Sequence, residues 1–119
     1  MEYIYEMPAE MTAENEKRGE VRKFSYDTQT YEGDASHPMH KEAWVYLPCG
    51  YDESRKYNVL YLLHGGGANQ DWWFKDYPDT VTILDNMMAK KICEPCIIVT
   101  PTYYRGEEAD KDMDITEHF

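Results

Sequence analysis

The chain has 119 residues, room for one domain at most, and its 42% apolar and 14% aromatic content can build a core, which excludes wholesale disorder. Its net charge of −11, from 23 acidic against 12 basic residues, repels phosphate backbones and anionic headgroups, so neither nucleic acid nor a membrane is expected as partner. No apolar run approaches the roughly 18 residues of a membrane span. The N-terminus lacks a basic-then-apolar leader, which leaves the compartment open: secreted if a signal has been removed, otherwise cytoplasmic.

Residues 1–18 mix Met, Glu and Ala without periodicity and read as a flexible lead-in, with the domain starting at residue 19. Val21-Arg22-Lys23-Phe24-Ser25-Tyr26 suits a strand with Phe24 and Tyr26 on one face. Residues 27–38 are polar and turn-rich. Ala43-Trp44-Val45-Tyr46-Leu47 then alternates until Pro48-Cys49-Gly50 stops it. Two strands so connected are expected to pair as an antiparallel ribbon. Residues 53–56 form a charged surface turn.

The next stretch is Val59-Leu60-Tyr61-Leu62-Leu63, five apolar residues in a row. That is too short for a typical helix and suits a strand buried on both faces. It runs straight into His64-Gly65-Gly66-Gly67. An aromatic loop follows, Asp71-Trp72-Trp73-Phe74-Lys75-Asp76-Tyr77-Pro78, and Asp79 stands where an N-cap belongs for a helix over 80–91. Val81, Leu84 and Met88 make its apolar stripe, and Lys90-Lys91 suit its C-terminal dipole. Cys96-Ile97-Ile98-Val99 is a second short strand. Strand, glycine turn, helix and strand make a βαβ unit with parallel strands and a right-handed crossover, so the fold class is α/β. At the end, Asp114 and Glu117 have capping-box spacing, and a helix of one turn is not stable alone. The sequence is therefore expected to break off inside a larger domain.

Three adjacent glycines after a buried strand let a ligand approach the main chain and present N–H donors that need no reorganisation, which is what an oxyanion requires. Gln70 stands where the dinucleotide fingerprint needs glycine, and the Walker Gly-Lys-Ser/Thr is absent, so a phosphate cradle is rejected. His64 has two readings, catalytic base or loop-ordering residue, and the second is the commoner fate of a histidine at a strand end. Trp72 and Trp73 are read as one core anchor and one pocket wall, with Trp72 the anchor. Tyr103 and Tyr104 follow the second parallel strand, at the sheet edge where open α/β sheets bind ligands. Cys93-Glu94-Pro95-Cys96 has redox spacing without a second ligand pair for zinc, and Cys96 reads as a core residue. Asp110, Asp112 and Asp114 begin like a calcium loop, but Ile115 replaces its glycine. No metal and no cofactor are expected.

Taken in order, Val45-Tyr46-Leu47-Pro48-Cys49-Gly50-Tyr51-Asp52, Tyr57 through Gly67, Asp71-Trp72, Ile83-Leu84-Asp85-Asn86-Met87 and Ile97-Ile98-Val99-Thr100-Pro101-Thr102 resemble the N-terminal part of the esterase D-like α/β-hydrolases. Within them the likeness is to the feruloyl and acetyl-xylan esterases, over about residues 19–119. The resemblance implies an incomplete α/β-hydrolase fold, an antiparallel ribbon followed by the βαβ unit and cut before the nucleophile elbow. It implies a serine carboxylesterase acting on feruloyl or acetyl esters of plant cell-wall xylan. Gly66 is the implied oxyanion donor, with Gly67 the alternative, and His64, Trp72, Trp73, Tyr103 and Tyr104 are candidates to line the substrate.

In such enzymes a serine on a Gly-x-Ser-x-Gly elbow attacks, a histidine takes its proton and an acid orients the histidine. The only serines here are Ser25, Ser36 and Ser54, none of them in an elbow. No nucleophile, base or acid is assigned, and the chain alone is expected to be inactive. The nucleophile strand would normally lie beside residues 59–63, so an open apolar edge is expected, and with it an isolated chain that is poorly folded or self-associates. The alternative function is a non-catalytic carbohydrate-binding module that stacks sugars on its loop aromatics.

Overall fold

A computed structural model of the chain describes residues 6–29 and 38–103. Strands β1 (Glu20–Gln29) and β2 (Pro38–Leu47) pair antiparallel along their full length, from Glu20 opposite Leu47 to Gln29 opposite Pro38. Strand β3 (Asn58–Tyr61), helix α1 (Asp79–Ala89) and strand β4 (Cys96–Thr100) complete a mixed sheet of order β1-β2-β4-β3. The β3–β4 pair is parallel, whereas β2 and β4 are antiparallel. The expected ribbon and βαβ unit are both present, joined through β4.

Register assigns the side chains to two faces, since opposed residues share one. Val21, Trp44, Tyr46, Cys96, Ile98 and Leu62 lie on the face that meets Val81, Leu84 and Met88 of α1, together with Trp73 and Phe74. Tyr46 and Ile98 at its centre are 0% and 1% exposed. The opposite face carries Ala43, Val45, Ile97, Val99, Val59 and Tyr61; Ala43 is fully buried, but none of them belongs to the core cluster of the described residues.

One expectation fails here. Residues 59–63 were expected to be buried on both faces, yet β3 is exposed throughout, with Val59 at 46%, Leu60 at 51% and Tyr61 at 67%. The physical reason is position: among the described residues β3 ends the sheet order and bonds to β4 on one side. Even Leu60, which shares the α1 face with Ile98, therefore stays exposed, while Val59 and Tyr61 turn to the face that no described helix covers. An apolar run reports suitability for burial, and the partner must come from elsewhere.

Helix α1 departs from expectation at both ends. Asp79 is its first residue rather than a side-chain cap; Pro78 holds the cap position in helical conformation, and the Thr80 and Val81 N–H groups bond to Tyr77 and Pro78 carbonyls. The acid still favours the positive end of the dipole. At the other end Lys91 takes φ 57°, and N–H groups of Lys91 and Ile92 reach back to the carbonyls of Met88 and Met87. That is a Schellman closure built on lysine instead of glycine.

Two polar residues of α1 are buried, Asp85 and Asn86, each 5% exposed. Asp85 Oδ1 accepts from the Tyr46 hydroxyl at 2.7 Å and from Gly19 N–H at 2.8 Å. Burial, and then this bond, push the Tyr46 phenol far above its ordinary range. A Cβ at Gly19 would meet the Tyr46 ring at 2.5 Å and the Leu47 carbonyl at 2.6 Å, so only glycine fits. Asn86 Nδ2 donates to the Met11 and Ala13 carbonyls at 2.8 and 2.9 Å, while Asn15 Nδ2 donates to Asn86 Oδ1 at 3.1 Å. The described part of the expected lead-in, with a 3-10 turn at Ala9–Met11, thus lies against α1.

Candidate active site

The parallel pair sends β3 and β4 out of the sheet at the same edge, and the residues after each strand meet there. Leu62 N–H donates to the Val99 carbonyl at 2.9 Å, extending the pairing one residue beyond β3. The main chain then turns over Gly65–Ala68, closed by Ala68 N–H on the Gly65 carbonyl at 3.2 Å. Gly67 has φ +79°, the left-handed conformation required at the third position of a type II turn. No heavy atom stands within 4 Å of a Cβ built at Gly65 or Gly67, and all three glycines are exposed. The bond that closes the turn uses neither the Gly66 nor the Gly67 N–H.

His64 is only 6% exposed beneath this turn. Its Nδ1 lies 2.7 Å from the Gly65 carbonyl and its Nε2 lies 2.8 Å from Thr102 Oγ1. Tyr103 stacks on the imidazole at 4.2 Å and donates its hydroxyl to the His64 carbonyl at 3.2 Å. With both ring nitrogens engaged, the geometry suits a residue that orders the loop better than one that collects a substrate proton.

The aromatic segment after the glycines is a π-helical turn, Trp72–Asp76, with Asp76 and Tyr77 N–H groups reaching back five residues to the Asp71 and Trp72 carbonyls. Asp71 fixes its start, accepting from Trp44 Nε1 at 2.7 Å. Trp73, not Trp72, is the anchor: it packs against the core cluster and donates Nε1 to the Leu63 carbonyl at 2.9 Å. Trp72 instead tilts against Tyr77 at 4.8 Å. The expected anchor, Trp72, is corrected to Trp73, because the π turn brings Trp73 to both the core cluster and the Leu63 carbonyl.

Of the residues singled out in the sequence, His64, Gly66, Gly67, Trp73 and Tyr103 are joined by these bonds or by direct succession, whereas Trp72, half-buried, packs on Tyr77. Tyr104 lies outside the described residues, as do the acidic loop and the terminal capping box. Thr100 and Thr102 were missed. Thr100 Oγ1 donates to the Gln70 carbonyl at 3.1 Å, so two hydroxyls of the β4 exit brace the loop after β3. Two threonines at alternate positions past a buried strand were the available signal. Among the described residues no group of three His, Cys, Asp or Glu is placed to hold a metal ion.

A mixed sheet with an exposed glycine turn at the carboxyl edge of its parallel strands defines the N-terminal part of an α/β-hydrolase fold. The chain belongs to the Esterase family, whose model matches residues 35–118. Endo-1,4-beta-xylanase Y of Acetivibrio thermocellus is 47% identical over 62 residues, 52% of this chain and 6% of that protein. Among solved structures, the feruloyl esterase module of Clostridium thermocellum, a serine-to-alanine mutant complexed with sinapinate, matches with a TM-score of 0.69 and 35% identity over 85% of this chain. A ferulic acid esterase of Anaeromyces mucronatus in complex with ferulic acid matches with a TM-score of 0.69 and 25% identity over 94% of the chain. The chain spans 33% and 41% of those two structures.

Proposed function

We propose that this chain is the oxyanion-loop portion of a serine carboxylesterase that hydrolyses hydroxycinnamoyl or acetyl esters on plant cell-wall xylan. The observation that carries the reading is an exposed glycine turn, fixed from below by His64, in a chain similar to feruloyl esterases solved with sinapinate and ferulic acid. The match to a xylanase supports xylan as the polymer. Gly66 N–H is the proposed donor to the developing oxyanion, with Gly67 the alternative, and Trp72 is the aromatic proposed to contact the substrate. In this reading residues 19–119 are one part of an esterase domain of which the matched structures hold more. No serine here sits in an elbow, so nucleophile, base and acid come from outside these 119 residues. The Esterase match favours this over a sugar-stacking module.

Hydrolysis of p-nitrophenyl acetate and methyl ferulate by the 119-residue chain and by a polypeptide completing the domain tests the proposal. Turnover is expected only from the longer one. Turnover by the short chain would sink the claim that the triad lies elsewhere, and none from the longer one would sink the esterase. We also propose that the isolated chain self-associates through β3, whose apolar edge has no neighbouring strand on one side among the described residues.

A further inference from the structure

We infer that Thr102 is a positioning residue: acting through His64, it sets the direction of the Gly66 N–H. The catalytic meaning of this rests on the esterase reading above, whereas the positioning itself rests on geometry. A carbonyl can only accept, so the His64 Nδ1 that lies 2.7 Å from the Gly65 carbonyl carries the proton. In the neutral ring Nε2 is then the acceptor, and the Thr102 hydroxyl at 2.8 Å donates to it.

The Gly65 carbonyl therefore receives two donors, His64 Nδ1–H and Ala68 N–H. Gly65 C=O and Gly66 N–H belong to the same planar trans peptide and point in opposite directions. Anchoring the carbonyl inward thus aims the Gly66 N–H outward, toward the place an oxyanion would occupy. A Gly-Gly peptide has little steric resistance to flipping, so it needs such an anchor. Thr102 is well placed to be its root, two residues past β4, which is paired on both sides by β2 and β3. Tyr103 holds the same imidazole by its face and the His64 carbonyl by its hydroxyl, which leaves the ring one orientation. The geometry assigns Tyr103 to this clamp and selects Gly66 over Gly67 as the oriented donor.

The test uses the polypeptide that completes the esterase domain. Thr102→Val keeps shape and removes the donor; Thr102→Ser keeps the donor. The valine variant is expected to lose about tenfold or more in kcat with KM within about twofold, because a misaimed donor is lost chiefly in the transition state. The serine variant should stay near wild type. Independently of activity, nitrogen NMR of His64 should show the Nδ1–H tautomer in the unmodified protein, and amide exchange at Gly66 should speed up in Thr102→Val.

An Nε2–H tautomer in the unmodified protein overturns the inference without any variant. So does a valine variant with unchanged kcat and unchanged Gly66 exchange, or a serine variant as damaged as the valine one. If the completed domain hydrolyses neither ester, the esterase reading fails on its own, and tautomer and exchange still decide the positioning role.

Discussion

The two faces of the sheet are made of similar residues, yet the centre of one and the β3 end of the other have opposite fates. On the face under α1, Tyr46 and Ile98 are 0% and 1% exposed; on the other, Val59 and Tyr61 are 46% and 67% exposed. Side-chain type does not separate them, since each face offers aliphatic and aromatic residues in register. What separates them is a helix, a π turn and Trp73 on one side, together with distance from the β3 edge, where Leu60 is 51% exposed even on the α1 face. Burial is a property of the pair, and only one member of each pair can be read from a strand's own sequence.

The largest effect should fall on the covered face. Ile98→Ala removes buried methyl groups between Tyr46 and α1, and is expected to cost about 2–5 kcal/mol in urea unfolding of the 119-residue chain. Val59→Ala in the same chain should change stability by about 0.5 kcal/mol or less. Equal losses from the two substitutions would erase the distinction between the faces.

A smaller effect should come from the polar bond inside that core. Tyr46→Phe takes one donor from the buried Asp85 carboxylate and is expected to cost about 1–3 kcal/mol. It should also change the alkaline limb. Burial, with the Asp85 bond second, raises the phenol above its ordinary 10.0, so the folded chain keeps a proton that the unfolded chain releases. The stabilisation is complete below pH 10 and is lost as pH climbs above it, at about 1.4 kcal/mol per pH unit for one proton. Stability against pH from 9 to 11 should be flatter by that slope in Tyr46→Phe. Parallel curves would show that Tyr46 titrates normally.

The ribbon and the βαβ unit were legible because their signals are local: alternation, Pro-Cys-Gly punctuation and a helical stripe. Asp85 was legible in principle, since it lies four residues after Val81 and so on the stripe's own face, but an acid there reads as solvent-facing until Tyr46 is known to stand opposite. The π turn could not be read, because Asp71, where it starts, bonds to Trp44, 27 residues earlier. At the site, the glycines and His64 announced themselves. Thr102 did not, because its partner lies 38 residues away and only the parallel pairing of β3 with β4 brings them together. Local chemistry marks the loop, whereas the contacts that aim it are set by topology.

The smallest expected effect on stability, and the sharpest on behaviour, belongs to the uncovered region. Tyr61 ends β3 at 67% exposure, beside an edge whose outer N–H and C=O groups have no neighbouring strand among the described residues. A lysine there has little packing to lose, so Tyr61→Lys should leave the unfolding free energy of the 119-residue chain within about 0.5 kcal/mol. The charge, however, would have to be desolvated for a second strand to add across that edge, which is how natural sheets keep edges single. Sedimentation should therefore show the unmodified chain associating with concentration and Tyr61→Lys shifted toward the monomer. An unmodified chain that is monomeric at every concentration would remove self-association altogether. A variant that associates as strongly as its parent would move the contact away from β3, to the face carrying Val45, Ile97 and Val99.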